Sequence, residues 1–477
     1  MTPESNTPPN DLILLLSTGG EKELTRYLSL LSMDELQELL HQLPVSQWGR
    51  LVNFVHPAEL AESLLNLPEE EWEQALELFN PEQLSGVLAE LDKLNTHRVL
   101  KHVKREDLPV LLAEMDSDDA ADILGEFSPA QARNILKKMP SEQADPIRVL
   151  LQYAEDSAGG LMQTELVRLP ITATVQEAIN IIRKHVEEDD DFDIHELHVV
   201  DHEGILQGQF SLERLILSDT STEVSELLEP DLYWVTPELD QEEVANYFQK
   251  YNLISLPVVD HDMQLLGRIT VDDIVDVIEE EASEDILQMA GAPGEDMVYN
   301  RILRSAALRL PWLFTNLLGG LLTGYLMWIF RATLREALVL ITFVPVITGM
   351  GGNVGTQSSS ITVRGFAVGR VDFSNISRYI FKEMRVGALM GLVCGCLLSL
   401  LCWVWHGNPA LGLVVGIALF AAMTVAASMG SIFPTIFQSL KIDPALASGP
   451  FVTTFNDVTG ILIYFFTAIL FKSWIIG

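Results

Sequence analysis

Five long apolar segments in the C-terminal third constrain the fold of this chain more than any other feature. They cover about residues 307–330, 337–362, 386–405, 409–438 and 445–475. Each is long enough to cross a hydrocarbon core about 30 Å thick, for which an α-helix needs about 20 residues. The sequence therefore predicts a polytopic α-helical membrane domain with five spans over residues 307–477.

The charged residues are divided very unevenly between this region and the rest of the chain. The whole chain has 30 Lys and Arg against 67 Asp and Glu, but from residue 301 onward there are 12 basic and 5 acidic residues. Residues 1–300 therefore carry 18 basic and 62 acidic residues, a net charge of −44. Such an acidic surface favours cations or basic partners, and we expect no nucleic acid as a partner.

The residues before about 155 have the pattern of a helical domain. Residues 1–25 are polar and Pro-rich, lack the features of a signal peptide, and are predicted to be flexible. Residues 26–155 form a run of short amphipathic helices punctuated by Pro and Asp, with predicted N-caps at Asn80, Asp118, Ser128 and Ser141. Because such helices bury their faces by stacking, we expect a superhelical N domain, with an ordinary helical bundle as the alternative.

An internal repeat follows the helical region. HVVDHEGILQGQFSLERLI at 198–216 aligns without a gap on PVVDHDMQLLGRITVDDIV at 257–275. Each copy reads as helix, strand, turn, strand and helix, and this order in two copies resembles the cystathionine-β-synthase (CBS) domain, which works as a tandem pair. We predict an α/β tandem CBS pair, with CBS domain 1 at 156–220 and CBS domain 2 at 221–280. A connecting helix is predicted over 281–306. The chain is therefore multidomain.

The basic residues around the spans predict the orientation in the membrane. Three arginines precede the first span, and five basic residues lie between spans two and three, namely Arg364, Arg370, Arg378, Lys382 and Arg385. The next loop has only His406, whereas Arg331 and Arg335 fall on the opposite side. The excess of positive charge places residues 1–300 in the cytosol and the C-terminus outside.

An acidic residue within the last span is the first candidate for chemistry. Asp457 lies in the middle of SGPFVTTFNDVTGILIYF. A carboxylate at this depth costs on the order of 2.5–3.5 kcal/mol on insertion scales. It either faces a water-filled pore as a cation site or is hydrogen-bonded to Thr453, Thr454 or Asn456 of its own helix. We favour the cation site because no basic residue in the spans is available to pair with it.

The second span has an unusual polar and glycine-rich stretch, PVITGMGGNVGTQSSS at 345–360. The glycines are explained equally well by close helix packing or by a pore lining. Packing explains Asn353 and Gln357 less well, because their amides need partners at membrane depth. In the last span, Gly449-Pro450 interrupts the helix about two turns before Asp457 and frees carbonyls that can face a cation.

These stretches resemble the MgtE family of magnesium channels, and the resemblance covers nearly the whole chain. Its motifs are P-x-x-x-G-x-G-G-N-x-G-x-Q-S at 345–358, D-P-A-L-x-S-x-P at 443–450 and D-V-T-G at 457–460. The resemblance implies a homodimer with a pore on its two-fold axis, where Asp457 of both subunits flanks a hydrated Mg²⁺ and Asp443 lies nearer the cytosolic mouth. One departure is Gly449, where some members have Asn, and its effect on the pore lining is left open.

The chemistry of Mg²⁺ agrees with such a pore. The ion sheds water reluctantly and prefers octahedral oxygen ligands, so a pore that holds it through its water shell needs few carboxylates and many neutral oxygen groups. The candidate pore residues are Asp457, Asp443, Thr453, Thr454, Asn456, Asn353 and Gln357.

Two acidic clusters in the cytosolic part form the second candidate site. One follows the second CBS copy in TVDDIVDVIEEEASED, and the other lies in the N domain, where Asp118 and Asp122 are one helical turn apart. Acidic runs are usually solvated faces, but like charges that are brought together repel unless a cation bridges them. The family resemblance implies that such clusters bind Mg²⁺ and hold the channel closed. It carries over to Asp118, Asp122, Asp273, Asp276, Glu281, Glu284 and Asp285.

The CBS pair is also a candidate nucleotide site. Thr270 and Asp273 have the T-x-x-D spacing that often meets a ribose. An ATP-binding pair and an empty pair both remain open, because Asp273 also belongs to the acidic cluster.

Together these features predict a Mg²⁺ channel or transporter in the cell inner membrane that takes up Mg²⁺ and is closed by cytosolic Mg²⁺. A carrier of broader divalent specificity, for Co²⁺, Mn²⁺ or Ni²⁺, remains an alternative. So does a CBS-regulated transporter of another solute, such as an anion. A membrane-anchored enzyme has little support, because the sequence shows neither a nucleophile–His–acid set nor a metal-ligand His/Cys cluster. The expected partners are Mg²⁺ ions, membrane lipid and a second copy of the chain.

Overall fold

The computed structural model describes residues 31–188, 194–292, 302–331, 338–371, 373–447 and 449–476. The flexible segment predicted for residues 1–25 lies outside these ranges. The chain divides into two compact units, residues 1–275 and residues 276–477.

The first unit begins with the predicted run of short helices. Helices α1 to α9 are Met33–Gln42, Pro57–Asn66, Glu69–Leu76, Pro81–Ala89, Lys93–Val99, Leu108–Leu111, Ser117–Gly125, Pro129–Leu136 and Ser141–Leu150. Short 3₁₀ segments at Val45–Arg50 and Val52–Phe54 connect the first two helices.

Local capping explains where several of these helices begin. Asn80 and Ser128 are N-caps with capping boxes to Gln83 and Gln131, so both predictions are confirmed. The prediction of an N-cap at Asp118 is wrong, because the extended residue is Asp116 and helix α7 starts two residues earlier than expected. The prediction of an N-cap at Ser141 is also wrong, because Pro140 is the N-cap and Ser141 is the first residue of the helix.

Many of the short helices pack against helices two places away in sequence, and α1 and α3 also pack on their neighbour α2. Helix α2 packs on α4, α4 on α6, α6 on α8, and α7 on α9. Leu60, Leu64, Trp72 and Val87 are almost completely buried between them. This alternating order is what stacked superhelical repeats show, and it favours the superhelix over a simple bundle.

The rest of the first unit contains the two predicted α/β copies. The first has strands β1 (Arg168–Pro170), β2 (Glu196–Val200) and β3 (Leu206–Ser211), with helices α10 (Val175–Glu188) and α11 (Leu212–Ile216). The second has helix α12 (Gln241–Tyr251) and strands β4 (Ser255–Val259) and β5 (Leu265–Thr270).

The two copies have the same strand register. Glu196 pairs with Ser211 in the first copy as Ser255 pairs with Thr270 in the second, and both antiparallel pairs have an irregularity before their last residue pair. A parallel strand or bridge flanks each pair, β1 beside β2 and Val235 beside Val258. The internal duplication predicted from the sequence is therefore confirmed in the backbone.

Helix α13 (Val271–Met289) leads from the second copy into the second unit. The sequence predicted a separate connecting helix over 281–306, but in the structure one continuous helix runs from Val271 to Met289. No Pro or Gly interrupts residues 271–289, so nothing in the local sequence ends the helix earlier.

The second unit contains five helices that are long and apolar enough to cross a membrane, as predicted. They are α14 (Ile302–Ile329), α15 (Val344–Ala367, preceded by a 3₁₀ segment at Leu338–Phe343), α16 (Ile376–His406), α17 (Pro409–Ser439) and α18 (Pro450–Leu470). A short helix α19 (Lys472–Ile476) follows. Helix α16 begins ten residues before the predicted span, so Arg378, Lys382 and Arg385 lie in its first turns rather than in a loop.

Helices α15, α17 and α18 form the buried centre of this unit, and glycines allow their close approach. A Cβ added to Gly430 of α17 would lie 2.3 Å from the backbone oxygen of Gly355 on α15. Tyr464 of α18 is fully buried and donates a hydrogen bond to the carbonyl of Leu340 at 2.8 Å. These contacts hold the polar stretch of α15 directly beside α18.

Candidate functional site

The first candidate site lies where α15 and α18 face each other. Asp457 on α18 is half-buried, and its Oδ1 lies 3.8 Å from the position that a Cβ on Gly352 would occupy. One turn earlier, the hydroxyl oxygens of Thr453 on α18 and Thr356 on α15 are 3.3 Å apart. The fold therefore places Asp457 and Thr453 beside the glycine-rich stretch of α15.

Helix α15 has one open face and one closed face. Asn353 and Gln357, which are one helical turn apart, are exposed, as is Arg364 further along the helix. Gly352, Gly355, Ser358, Ser359 and Thr362 are buried against neighbouring helices. A helix inside a membrane with amides on its open face presents polar groups either to water or to a partner, because lipid cannot satisfy them.

Two of the predicted pore residues lie apart from this open face. Thr454 donates a hydrogen bond to Asn316 of α14 at 3.0 Å. Asn456 is 1% exposed, its amide is directed at Gly355, and neither amide atom has a hydrogen-bond partner among the described residues. These side chains thus contact helices α14 and α15, although the sequence grouped them with Asp457.

The last turns of α13 lie against the inner end of α18, within the second unit. Asp443 accepts a hydrogen bond from the backbone N–H of Ala445 at 2.7 Å. Gly449 allows the closest approach, because a Cβ there would lie 2.2 Å from the carbonyl oxygen of Met289. Gly291, whose φ is +70°, similarly lies against Pro450. The departure noted in the sequence, Gly449, is therefore where α13 contacts the start of α18.

Carboxyl groups from two directions meet at this inner end. Burial and the nearby Asp443 carboxylate raise the pKa of Asp285 to about 6, and the positive charge of Arg364 partly opposes this rise. Burial raises the pKa of Asp443, as does the charge of Glu284, while hydrogen bonds from Ala445 and Gln288 oppose the shift. The structure thus places three predicted residues, Glu284, Asp285 and Asp443, close enough for their charges to act on one another.

The second candidate site lies in the first unit, between the N-terminal helices and the second α/β copy. Asp118 is 93% buried in the first turn of α7, and its Oδ1 has no hydrogen-bond partner in the described part of the chain. Burial is the largest cause of the strongly raised pKa of this carboxyl, followed by the charge of Asp273 at the start of α13. The predicted pair of Asp118 and Asp273 is therefore brought together.

Asp119 belongs to the same cluster, although it was not singled out from the sequence. Burial, and then the charges of Asp273, Asp116, Asp122 and Asp272, raise its pKa to about 7. Burial likewise raises the pKa of Asp273 to about 7, against the hydrogen bond from Thr270. The run D-S-D-D at the start of α7 was visible in the sequence, but not which of its members faces α13.

The remaining predicted acidic residues are exposed or half-buried. Asp122 is exposed on α7, Asp276 is exposed on α13, and Glu281 is half-buried one and a half turns further along α13. Among the described residues, no group of three or more His, Cys, Asp or Glu side chains is spaced to hold a metal ion directly.

The proposed nucleotide residues are next to a large cavity in the first unit. The hydroxyl of Thr270 donates to Asp273 at 2.7 Å, so the T-x-x-D motif forms a local bond at the start of α13. A cavity of about 1300 Å³ is lined by polar and basic residues, among them Thr270, Ser255, Gln163 and Arg268, and by the acidic residues Asp116, Asp119 and Asp272. Its wall therefore offers both basic and acidic groups.

Family models match most of the chain. A model described as a divalent cation transporter, MgtE, covers residues 344–467, and one for the MgtE intracellular N domain covers residues 55–156. The CBS domain model matches twice, at residues 158–219 and 224–280.

Curated relatives of this chain are named magnesium transporter MgtE. A magnesium transporter MgtE of Enterococcus faecalis is 39% identical over 70% of this chain and 74% of its own length. The magnesium transporters MgtE of Bacillus subtilis and Thermus thermophilus are 35% and 37% identical over 74% and 73% of this chain, and over 78% of their own lengths.

Among solved structures, the cytosolic domain of the Mg²⁺ channel MgtE in complex with ATP is 32% identical, with a TM-score of 0.47 over 52% of this chain and all of that one. The family models and relatives together cover the helical region, the duplicated α/β region and the membrane helices. The chain is a membrane protein of the MgtE family.

Proposed function

We propose that this protein is a homodimeric channel for Mg²⁺ uptake across the cell inner membrane. The observation that carries the proposal is the placement of Asp457 beside Thr453 and Gly352, next to the open face of α15, within a unit of five membrane helices. Relatives named magnesium transporters support the choice of ion. In this proposal residues 1–300 are cytosolic and the C-terminus lies outside.

The arrangement suits a hydrated ion. One carboxylate per subunit, together with hydroxyl, amide and backbone oxygens, can hold Mg²⁺ through its water ligands and does not demand complete dehydration. Asp457, Thr453, Asn353 and Gln357 would provide this lining. Thr454 and Asn456 would support it from behind, through α14 and α15. On the two-fold axis of a homodimer, the carboxylates of two Asp457 residues would flank the ion.

Cytosolic Mg²⁺ would close the channel through the two acidic clusters. Without the ion, the buried carboxylates of Asp118, Asp119 and Asp273 repel one another, which favours separation of the N-terminal helices from the second CBS domain. Bound Mg²⁺ would offset this repulsion and stabilise the docked arrangement. Asp122, whose charge also acts on Asp119, would add to this repulsion. Since a ligand shifts an equilibrium only by its differential affinity, the ion must bind the closed state more tightly.

At the inner end of the membrane unit, the same ion would act on Glu284, Asp285 and Asp443. Binding there would keep the end of α13 against Gly449 and Pro450, where the two segments are in close contact. The closed channel would then have α13 at its cytosolic mouth.

Growth of a bacterial strain that lacks its own Mg²⁺ uptake tests the transport function. The wild-type chain should restore growth at low Mg²⁺, and Asp457→Ala should not, although it is present in the membrane in equal amount. Thr467→Ala is a matched control, because the hydroxyl of Thr467 on the same helix donates to the backbone of Ile463. Growth that survives Asp457→Ala would refute the assignment of the pore.

The alternatives differ in which ion moves. A broader divalent carrier would transport Co²⁺, Mn²⁺ or Ni²⁺ at rates comparable to Mg²⁺, which competition with each metal during uptake would measure. An anion transporter would lose its flux when Arg364 is replaced, and would be indifferent to Asp457. Loss of flux in Asp457→Ala would separate a cation path from an anion path, and the metal competition would separate a Mg²⁺ channel from the broader carrier.

A nucleotide such as ATP is the second candidate ligand, at the cavity of the first unit. The basic side chain of Arg268 and the hydroxyl of Ser255 suit phosphate, while the acidic wall suits a Mg²⁺ ion that the phosphates carry. Calorimetric titration of the full-length protein with ATP at constant Mg²⁺ should show binding that Arg268→Ala weakens. Equal affinity in the variant would exclude this cavity.

A further inference from the structure

The membrane unit has a buried carboxylate that the proposed ion path does not use. Glu383 lies in the second turn of α16, a part of the chain that the sequence placed before the third span. Its side chain is almost completely buried, with 4% of the residue exposed. A buried carboxylate is costly to maintain in a membrane unit unless it has specific partners, so its contacts identify what it does.

Glu383 joins two helices. Its Oε2 accepts a hydrogen bond from the hydroxyl of Ser358 on α15 at 3.3 Å, and its Oε1 lies 3.7 Å from Nζ of Lys382, which is largely exposed. Ser358 itself is 2% exposed. The carboxylate thus has an exposed basic neighbour on its own helix and a buried hydroxyl on the helix that carries Asn353 and Gln357.

A second set of hydroxyls extends this connection by one helical turn. Thr362 on α15 is fully buried, and its hydroxyl donates to the backbone oxygen of Ser358 at 2.6 Å. The same hydroxyl lies 3.4 Å from the hydroxyl of Tyr379 on α16 and 3.2 Å from that of Ser431 on α17. Polar contacts therefore fix the buried side of α15 against both neighbouring helices at one level.

The position of Ser358 determines what this contact controls. It follows Gln357 directly, and successive residues of an α-helix are about 100° apart around the axis. Rotation of α15 by about 100° about its axis would therefore move one of the two residues, Gln357 or Ser358, into the direction in which the other now points. A hydrogen bond that holds Ser358 on the closed face therefore also holds Asn353 and Gln357 on the open face.

We infer that Glu383 is a positioning residue for the ion path: through Ser358 it sets the rotation of α15 and keeps Asn353 and Gln357 on the open face beside Asp457. The inference rests on the proposed channel function, since it assigns a role in shaping that pore. The alternative is a polar contact that only stabilises the fold, and the two roles differ in what happens to the orientation of α15.

Thiol labelling reads that orientation directly. In a full-length chain whose Cys394, Cys396 and Cys402 are replaced by Ala, Gln357→Cys should react with a membrane-impermeant maleimide. Ser359→Cys, at a position that is fully buried, should not. If Gln357→Cys is unreactive in this parent chain, the water-filled path itself is wrong, and the proposed function fails before the positioning role is addressed.

Glu383→Ala should lower the ratio of the labelling rate at position 357 to that at 359 by about 3- to 20-fold, the range expected for one interhelical hydrogen bond in a membrane protein. Glu383→Gln keeps an acceptor for Ser358 and should retain most of the parent ratio. Lys382→Ala removes the exposed neighbour and should leave the ratio unchanged. If Glu383→Ala does not fold, Ser358→Ala removes the donor from the other side and should give the same shift.

Mg²⁺ flux provides the second readout. The positioning role predicts that Ser358→Ala alters the ratio of Mg²⁺ to Co²⁺ uptake per molecule, and that Glu383→Ala and Ser358→Ala together do no more than either alone. A role in stability alone would lower the amount and thermal stability of the protein but leave both ratios at parent values. Unchanged labelling and ion ratios in folded Ser358→Ala protein would overturn the inference, as would an equal effect of Lys382→Ala.

Discussion

Gly449→Ala should weaken closure of the channel without affecting the ion path itself. In the structure a Cβ at this position would lie 2.2 Å from the carbonyl oxygen and 3.1 Å from the carbonyl carbon of Met289. The obstacle is backbone, so no side-chain rotation can relieve it. The end of α13 must therefore move away from the start of α18 by roughly 1 Å to restore ordinary van der Waals distance.

The size of the effect follows from the cost of overpacking. Adding a methyl group to a packed site typically costs about 1–3 kcal/mol. If only the closed arrangement has this contact, that cost shifts the ratio of open to closed channels by about 5- to 150-fold. Higher internal Mg²⁺ should then be needed to reach half-inhibition, while the current through an open channel stays the same.

Patch recordings with stepped internal Mg²⁺ measure both quantities. Gly324→Ala is the matched control, because a Cβ on this glycine of α14 meets no atom within 4 Å, and its inhibition curve should match the wild type. An unchanged inhibition curve for Gly449→Ala would refute the idea that contact between Met289 and Gly449 belongs to the closed state. A reduced unit current would instead place Gly449 in the ion path.

Three further predictions concern the acidic clusters. Replacing Asp118, Asp122, Asp273 and Asp276 by Asn should make currents insensitive to internal Mg²⁺, and inhibition that remains unchanged would contradict the sensor. Because the pKa of Asp119 and of Asp273 is raised to about 7 in the folded protein, protonation stabilises the docked arrangement. That stabilisation is complete below the ordinary Asp pKa of about 3.9 and is lost as the pH rises through about 7. The protection of Ser117–Gly125 against hydrogen exchange, after correction for the intrinsic rise of the exchange rate with pH, should therefore be lower at pH 8 than at pH 6 in Mg²⁺-free full-length protein. Saturating Mg²⁺ should reduce the difference. Removing Mg²⁺ with a chelator at pH 8 should accelerate exchange in Ser117–Gly125 more than in the control helix Pro57–Asn66. An equal acceleration in both helices would indicate general loosening of the domain.

The architecture could be predicted because its signals are local. Five apolar stretches of about 20 residues predict spans whatever their neighbours are, and the duplicated strands at 198–216 and 257–275 have the same register in the structure. The start of α16 was missed for a physical reason. Its first turns carry Arg378, Lys382 and Arg385, which lower the apolar character although the helix continues through them.

The candidate sites were predictable only in part, because they depend on contacts between distant segments. The spacing of Asp118 and Asp122 indicates one helix face. In the structure, however, the charge of Asp273 raises the pKa of Asp118 and of Asp119, and Asp119 was not predicted. Asn456 precedes Asp457 in sequence, but the absence of a side chain at Gly355 lets its amide lie buried against α15.

Glu383 was missed altogether because its partner, Ser358, is 25 residues away on another helix. Nothing in the sequence around either residue indicates the contact. The same holds for Gly449, whose close approach to Met289 depends on how α13 ends.

The central claim is that Mg²⁺ crosses the membrane past Asp457. Single-channel recording in a planar bilayer, with Mg²⁺ as the sole permeant cation and internal Mg²⁺ varied, tests it most directly. The wild-type protein should give discrete Mg²⁺ currents that disappear as internal Mg²⁺ rises, and Asp457→Asn should give none at any internal concentration. Wild-type currents that persist unchanged in Asp457→Asn would contradict the account.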